Sequence, residues 1–189
     1  VGYSVLETMP PAKDIRAMLA DGRTRLSVGR VPEVVALVLA QPKKTDRLIE
    51  CLWDEDSGVV NRAADVLDKV SNQRPAVLAS WKSSLLGLMA EAAENKLRWH
   101  LALIAPRLTL TLPECRRVAD QLQVWLDDKS SIVKTCVLQG LADLTRQNHS
   151  LLPEVVDLLR MQGRSGTPAM RARSRMLLHK LEKPPRELR

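Results

Sequence analysis

Apolar positions return along this chain at two nested spacings. Within short segments they recur every three or four residues: Val60, Ala64, Leu67; Leu97, Leu101, Ile104; Val133, Val137, Gly140, Leu141; Met170, Ser174, Leu177. Each set is the stripe of a helix that buries one face. A longer period joins the segments. Leu48, Leu85, Leu122 and Leu159 stand 37 residues apart, in RLIECLW, SSLLGLMAEA, VADQLQVWL and PEVVDLLRM. A second series, Val60, Leu97, Val133 and Met170, follows each of them 11 or 12 residues later, spaced by 37, 36 and 37. An internal period of this length is the mark of a repeat array.

Short polar stretches separate the two segments of each unit: DEDSG (54–58), AENK (93–96), DDKSS (127–131) and QGRSGTP (162–168). They supply Asp and Ser for helix N-caps, or a helix-breaking Gly. Each unit therefore reads as helix, tight turn, helix. Upstream, PAKDIRAMLAD (11–21) and VPEVVALVLAQ (31–41) form one more helical pair, with Pro at or near each start and Pro42 closing the second. Its spacing departs from 37. An end unit has one face without a neighbour, so an atypical terminal repeat is expected here.

A two-helix unit of about 37 residues with Asp-rich turns and an apolar-basic step (Leu97-Arg98, Val133-Lys134, Met170-Arg171) resembles the HEAT repeat family of α-solenoids. DEDSGVVNRAADVLDKV and DDKSSIVKTCVLQGLADL carry the likeness most clearly, and the whole is similar to small bacterial HEAT-like proteins of unassigned function. The resemblance implies an all-α, right-handed α-α superhelix of about five helical pairs. The expected layout is an N-terminal extension over 1–10, one repeat domain over 11–182 with its atypical first pair at 11–41, and a basic C-terminal tail over 183–189.

Composition agrees with an all-α reading: Phe is absent, there is one Tyr, and Gly totals 8. The net charge of +7 is unevenly placed. From Arg164 to Arg189 eight Lys/Arg face only Glu182 and Glu187, which leaves the rest of the chain near neutrality. Cys51, Cys115 and Cys136 form no CxxC pair and have no His at ligand spacing, so neither a disulfide framework nor a zinc site is expected. No uncharged apolar run reaches the roughly 18 residues that span a bilayer. The expectation is a cytoplasmic protein with no membrane contact and no cofactor, metal or small-molecule substrate.

No catalytic pattern stands out: there is no GxSxG, no Gly-rich phosphate loop and no HExxH. A non-enzymatic scaffold for a protein partner is the leading expectation, since curved solenoids present extended binding surfaces. The candidate contact residues are Arg62, Arg98, Trp99, Lys134, Arg171, Arg173 and Arg175. Asn61, Arg98, Lys134 and Arg171 form a ladder, one per repeat. In HEAT proteins a turn Asp bonds such a basic residue in a neighbouring repeat, and Asp128 lies six residues before Lys134. Trp99 falls where the 37-residue alignment puts Arg62, Thr135 and Ala172, so it is expected to be partly exposed. Trp125 aligns with Leu88 and Cys51 and is expected in the core. His100, with no ligand partner at a convincing spacing, reads as structural.

The alternative is nucleic-acid binding through the basic C-terminal end, since some HEAT-like solenoids are DNA glycosylases for alkylated bases. Arg171, Arg173 and Arg175 fan around a helix at about 100° per residue, which suits diffuse contact or a charged cap. A third possibility, a HEAT subunit of a lyase acting on a chromophore or cofactor, has no residue in its favour.

Overall fold

The computed structural model describes residues 14–22 and 27–182, so the 1–10 extension and the 183–189 tail lie outside the described residues. Among the described residues ten α-helices form five pairs. They are α1 (Ile15–Ala20) with α2 (Val31–Ala40), α3 (Thr45–Glu50) with α4 (Ser57–Gln73), α5 (Lys82–Glu91) with α6 (Asn95–Ile104), α7 (Leu112–Val124) with α8 (Ser131–Leu144), and α9 (Leu152–Ser165) with α10 (Pro168–Leu181). Short 3-10 turns connect several of them, and no strand occurs among the described residues.

The second helices α2, α4, α6, α8 and α10 pack on one another in series, while the first helices touch their counterparts far less. Closer spacing along one side bends the stack toward that side. The even-numbered helices are therefore the inner row of a solenoid. Its core is continuous through all five pairs, which is how units too small to bury their own apolar stripe are stabilised.

The 37-residue series of the first helices holds at every rung: Leu48, Leu85, Leu122 and Leu159 are all fully buried. In the second series Leu97, Val133 and Met170 are buried, but Val60 is half-exposed and Val59 takes its place in the core. The N-caps explain this slip. Asp56, Glu94, Ser130 and Thr167 start α4, α6, α8 and α10, and they stand 38, 36 and 37 residues apart. Asp56 accepts from the Gly58 N–H and so sets the phase of α4 one residue earlier than the pair of valines suggests. Counted from the caps, Asn61 corresponds to Trp99, and Arg62 corresponds to His100, Cys136 and Arg173.

The turns between units are tied by side chains of the next repeat. Gln147 donates to the Pro106 and Leu108 carbonyls and accepts from the Leu110 N–H, which satisfies its amide completely. Thr111 and Glu114 form a reciprocal capping box at the start of α7. Glu114 also accepts from Lys82 Nζ at 2.8 Å, linking α5 to α7. The Lys82 ammonium and the Thr111 N–H pull the Glu114 carboxyl down from its ordinary value near 4.5 to about 2. A carboxyl with a depressed folded pKa stabilises the fold above its unfolded pKa and loses that contribution as pH falls through the folded one. Stability supplied by Glu114 should therefore be complete above about pH 4.5 and vanish toward pH 2. Urea titrations from pH 5 to pH 2.5 are expected to give a shallower fall for Lys82→Met than for the parent, and equal slopes would refute the ion pair.

Candidate functional site

Of the seven basic or aromatic candidates, Arg62 departs most from an exposed position. It is buried, with part of its side chain lining the cavity described below. Its guanidinium donates to the Leu19 carbonyl of the terminal pair. Glycines make the room: a Cβ on Gly22 would lie 2.5 Å from Arg62 Nη1, and one on Gly58 would lie 2.9 Å from Nη2. Arg62 thus fastens α1 to α4.

Arg98 is committed as well. Its Nε donates to the Ala92 carbonyl at 2.8 Å and its Nη1 to Asp128 Oδ2 at 2.8 Å, while the guanidinium carbon lies 5.9 Å from the centre of the Trp125 ring. Turn Asp and neighbouring basic residue do pair, but the partner of Asp128 is Arg98 from the preceding repeat rather than Lys134. Burial raises the Asp128 carboxyl; the Ser130 N–H and Arg98 outweigh it, and the net shift is downward. Lys134 is half-buried on α8. Arg171 reaches back to the Gly166 carbonyl, Arg173 donates to Gln139 Oε1 at 3.0 Å across to α8, and Arg175 is exposed. The three arginines fan out and form no common groove.

Trp99 is half-buried and Trp125 fully buried, as their places in the repeat require. Trp99 lines a cavity of about 490 Å³ on the inner row, between the loop before α2 and the starts of α6 and α8. Asn61 and Arg62 of α4, Lys96 and His100 of α6, and Ile132 of α8 share it. The cavity is within the size range of ligand sites. Its polar chemistry is incomplete. Six buried side-chain polar atoms of the described residues have no hydrogen-bond partner, and four of them are here: both amide atoms of Asn61, Trp99 Nε1 and His100 Nδ1. Buried polar groups are normally satisfied, as Gln147 is. These exceptions, each enclosed as well as unpaired, concentrate around one cavity among the described residues.

His100 is not as isolated as its sequence suggests. Its Nδ1 lies 3.5 Å from Asp68 Oδ2, too far for a good hydrogen bond, and Asp65 completes a group whose ligand atoms all fall within 4.8 Å of one another. Such a group has the spacing for a cation. Both carboxylates already face cations, however: Asp68 accepts from Arg107 at 2.6 Å and Asp65 pairs with Lys69. Burial pushes the Asp68 carboxyl up, but His100 and Arg107 hold it below its ordinary value. The arrangement is a closed ionic cluster that ties α4 to the end of α6 and braces the His100 ring beside Trp99, whose centroid is 4.5 Å away.

A second cavity, of about 690 Å³, lies toward the C-terminal ends of α4, α6 and α8 and is lined by Arg107, Cys136, Gln139, Arg146, Arg173 and Lys180 among others. Against these four cationic residues it holds the single carboxylate of Asp143. The linear charge count places the basic excess at the C-terminal end, but the fold gathers basic side chains from α10 and from the turns after α6 and α8 into this cavity. Asn61 and the Asp65–Asp68–His100 cluster escape sequence reading. They meet across a 38-residue step that only the true cap positions reveal.

No family model matches the chain, and no curated protein matches it. Among solved structures the fold is similar to a designed armadillo repeat protein, with a TM-score of 0.60 and 14% identity over 88% of this chain and 80% of that one. At such identity the likeness establishes the fold, an armadillo- or HEAT-like helical repeat, and nothing of its use.

Proposed function

We propose that this solenoid is a non-enzymatic interaction scaffold whose inner face holds a macromolecular partner. The observation that carries the reading is the concentration of unpartnered buried polar atoms, both amide atoms of Asn61 and Trp99 Nε1, around one inner-face cavity. An isolated chain leaves those groups without the hydrogen bonds their burial calls for, and a bound partner supplies them. Burial pushes the Cys51 and Cys136 thiols up to about 11, so neither is a thiolate near neutral pH.

A photo-crosslinking side chain tests this directly when placed at Ile132, exposed on the rim of the inner cavity, and separately at Val124, exposed on the outer helix α7. In lysate treated with nuclease, crosslinks to protein are expected from position 132 and not from position 124. Equal capture from both positions, or none from 132, would count against the inner face. Nucleic acid is the second reading, favoured by Arg146, Arg173 and Lys180 in the neighbouring cavity. It requires crosslinks that nuclease abolishes, and an affinity that falls with salt by a slope of roughly 0.9 per phosphate on duplex DNA.

A further inference from the structure

The unpartnered groups of the inner cavity sit beside a second incomplete feature, the start of α6. Its N-cap is Glu94, whose side chain makes no capping bond. The first N–H groups of a helix have no intrahelical acceptor, and together with the helix dipole they favour an anion. Asn95 and Lys96 carry those N–H groups and line the cavity. Asn61, 9% exposed, lines the same space with an amide whose two polar atoms have no hydrogen bond. The available hydrogen-bond capacity is rich in donors: Trp99 Nε1, the Asn61 amide nitrogen, the α6 backbone and the Lys96 ammonium. Lys96 makes no ion pair among the described residues, whereas the one acidic lining residue, Asp65, is already neutralised by Lys69. The rim is apolar, with Val28 55% and Ile132 57% exposed on opposite sides.

A donor-rich cavity under an apolar rim is complementary to a carboxylate carried between aliphatic groups. A separate cationic cavity lies toward the C-terminal ends of α4, α6 and α8. Nucleic acid fits less well. One indole lines these cavities, and setting Arg62 aside, Lys96, Arg146, Arg173 and Lys180 are the four lining cations outside ion pairs among the described residues, where phosphate-backbone binding typically uses about 6–10 contacts. Resting on the scaffold reading above, we infer that the inner face takes an acidic, aliphatic-flanked segment of a protein partner, with a carboxylate seated against Lys96 and the uncapped start of α6, and Asn61 and Trp99 bonding the segment beside it.

The inference can be tested by selecting a random dodecapeptide display library on the full chain and measuring the enriched peptides by fluorescence anisotropy. Enriched sequences should carry Asp or Glu next to aliphatic residues and should weaken at least tenfold on Lys96→Glu and on Asn61→Leu. Asn61→Leu should leave the thermal midpoint unchanged or raise it, because it removes an unsatisfied buried amide. That result separates a binding role from a structural one. A fall in the midpoint for Asn61→Leu, no enrichment, or enriched peptides indifferent to both substitutions would overturn the inference. A labelled twelve-nucleotide oligothymidylate is measured in parallel; tighter binding of it than of any selected peptide, lost in Lys96→Glu, also overturns it in favour of nucleic acid. Basic peptides that still crosslink to position 132 would refute the acidic segment while leaving the scaffold reading intact. Failure of position 132 to crosslink any partner removes both.

Discussion

Replacing Leu122 with alanine is expected to cost about 2–5 kcal/mol, the range for emptying a fully buried leucine site, and to lower the thermal midpoint by roughly 4–20 °C for a chain of this size. Leu122 is completely buried in α7 and reaches the inner row, where one of its methyl carbons would lie 3.2 Å from a Cβ built on Gly140. It therefore bridges the outer and inner helices of its pair. Leu48, Leu85 and Leu159 hold the same place in their own units and are equally buried, so the same substitution should be costly at every rung. Aspartate at position 122 should be worse than alanine, because it adds a desolvated charge to the lost packing. A melt followed by circular dichroism decides the matter: Leu122→Ala within 1 °C of the parent would mean that this series does not form the core.

Gly140→Ala should destabilise by about 1–3 kcal/mol or more, the typical cost of overpacking, even though alanine is the better helix former by about 1 kcal/mol. At the corresponding position, ten residues past the N-cap, the other inner helices carry Val66, Ile104 and Leu177. Gly140 is there because α8 crosses α6 closely: an added Cβ would come within 2.3 Å of the Ala102 carbonyl oxygen and 3.2 Å of Pro106. A side chain would yield to that contact, but a backbone oxygen moves only if the helices part. Separating α6 from α8 also spreads the cavity that Trp99 and Ile132 line, so the tryptophan emission should shift along with stability. Gly87→Ala is the matched control. Nothing lies within 4 Å of a Cβ at Gly87, and helix propensity alone predicts a gain of about 0.5–1 kcal/mol. If both glycine variants melt alike, the close approach is not what selects Gly140.

The all-α class, the pairing of helices and the first-helix core were legible in the chain because they follow from spacing alone. A leucine every 37 residues within helical stripes leaves one architecture able to bury them all. The same reasoning separated Trp125 from Trp99. It failed by one residue at Val59 and Val60. Two adjacent valines satisfy a stripe equally well, and the choice between them belongs to the Asp56 cap rather than to apolar periodicity. That single step shifted the alignment of α4 against the other inner helices and hid the correspondence of Asn61 with Trp99 and of Arg62 with His100.

What remained for the tertiary structure to decide has a common cause: it depends on which side chains of neighbouring repeats meet. An arginine is normally an exposed residue, and nothing local announces that Gly22, Gly58 and the Leu19 carbonyl surround Arg62 and bury it. Net charge summed along the chain places the basic excess at one end, whereas stacking brings Arg107, Arg146, Arg173 and Lys180 to one cavity from three separate segments. The unpaired atoms of Asn61 and Trp99 come together only because α4 and α6 lie side by side. Periodicity in a sequence determines which face of each helix is buried, because that is a property of one helix. The chemistry of the space between helices is a property of two, and only the packed solenoid supplies the second.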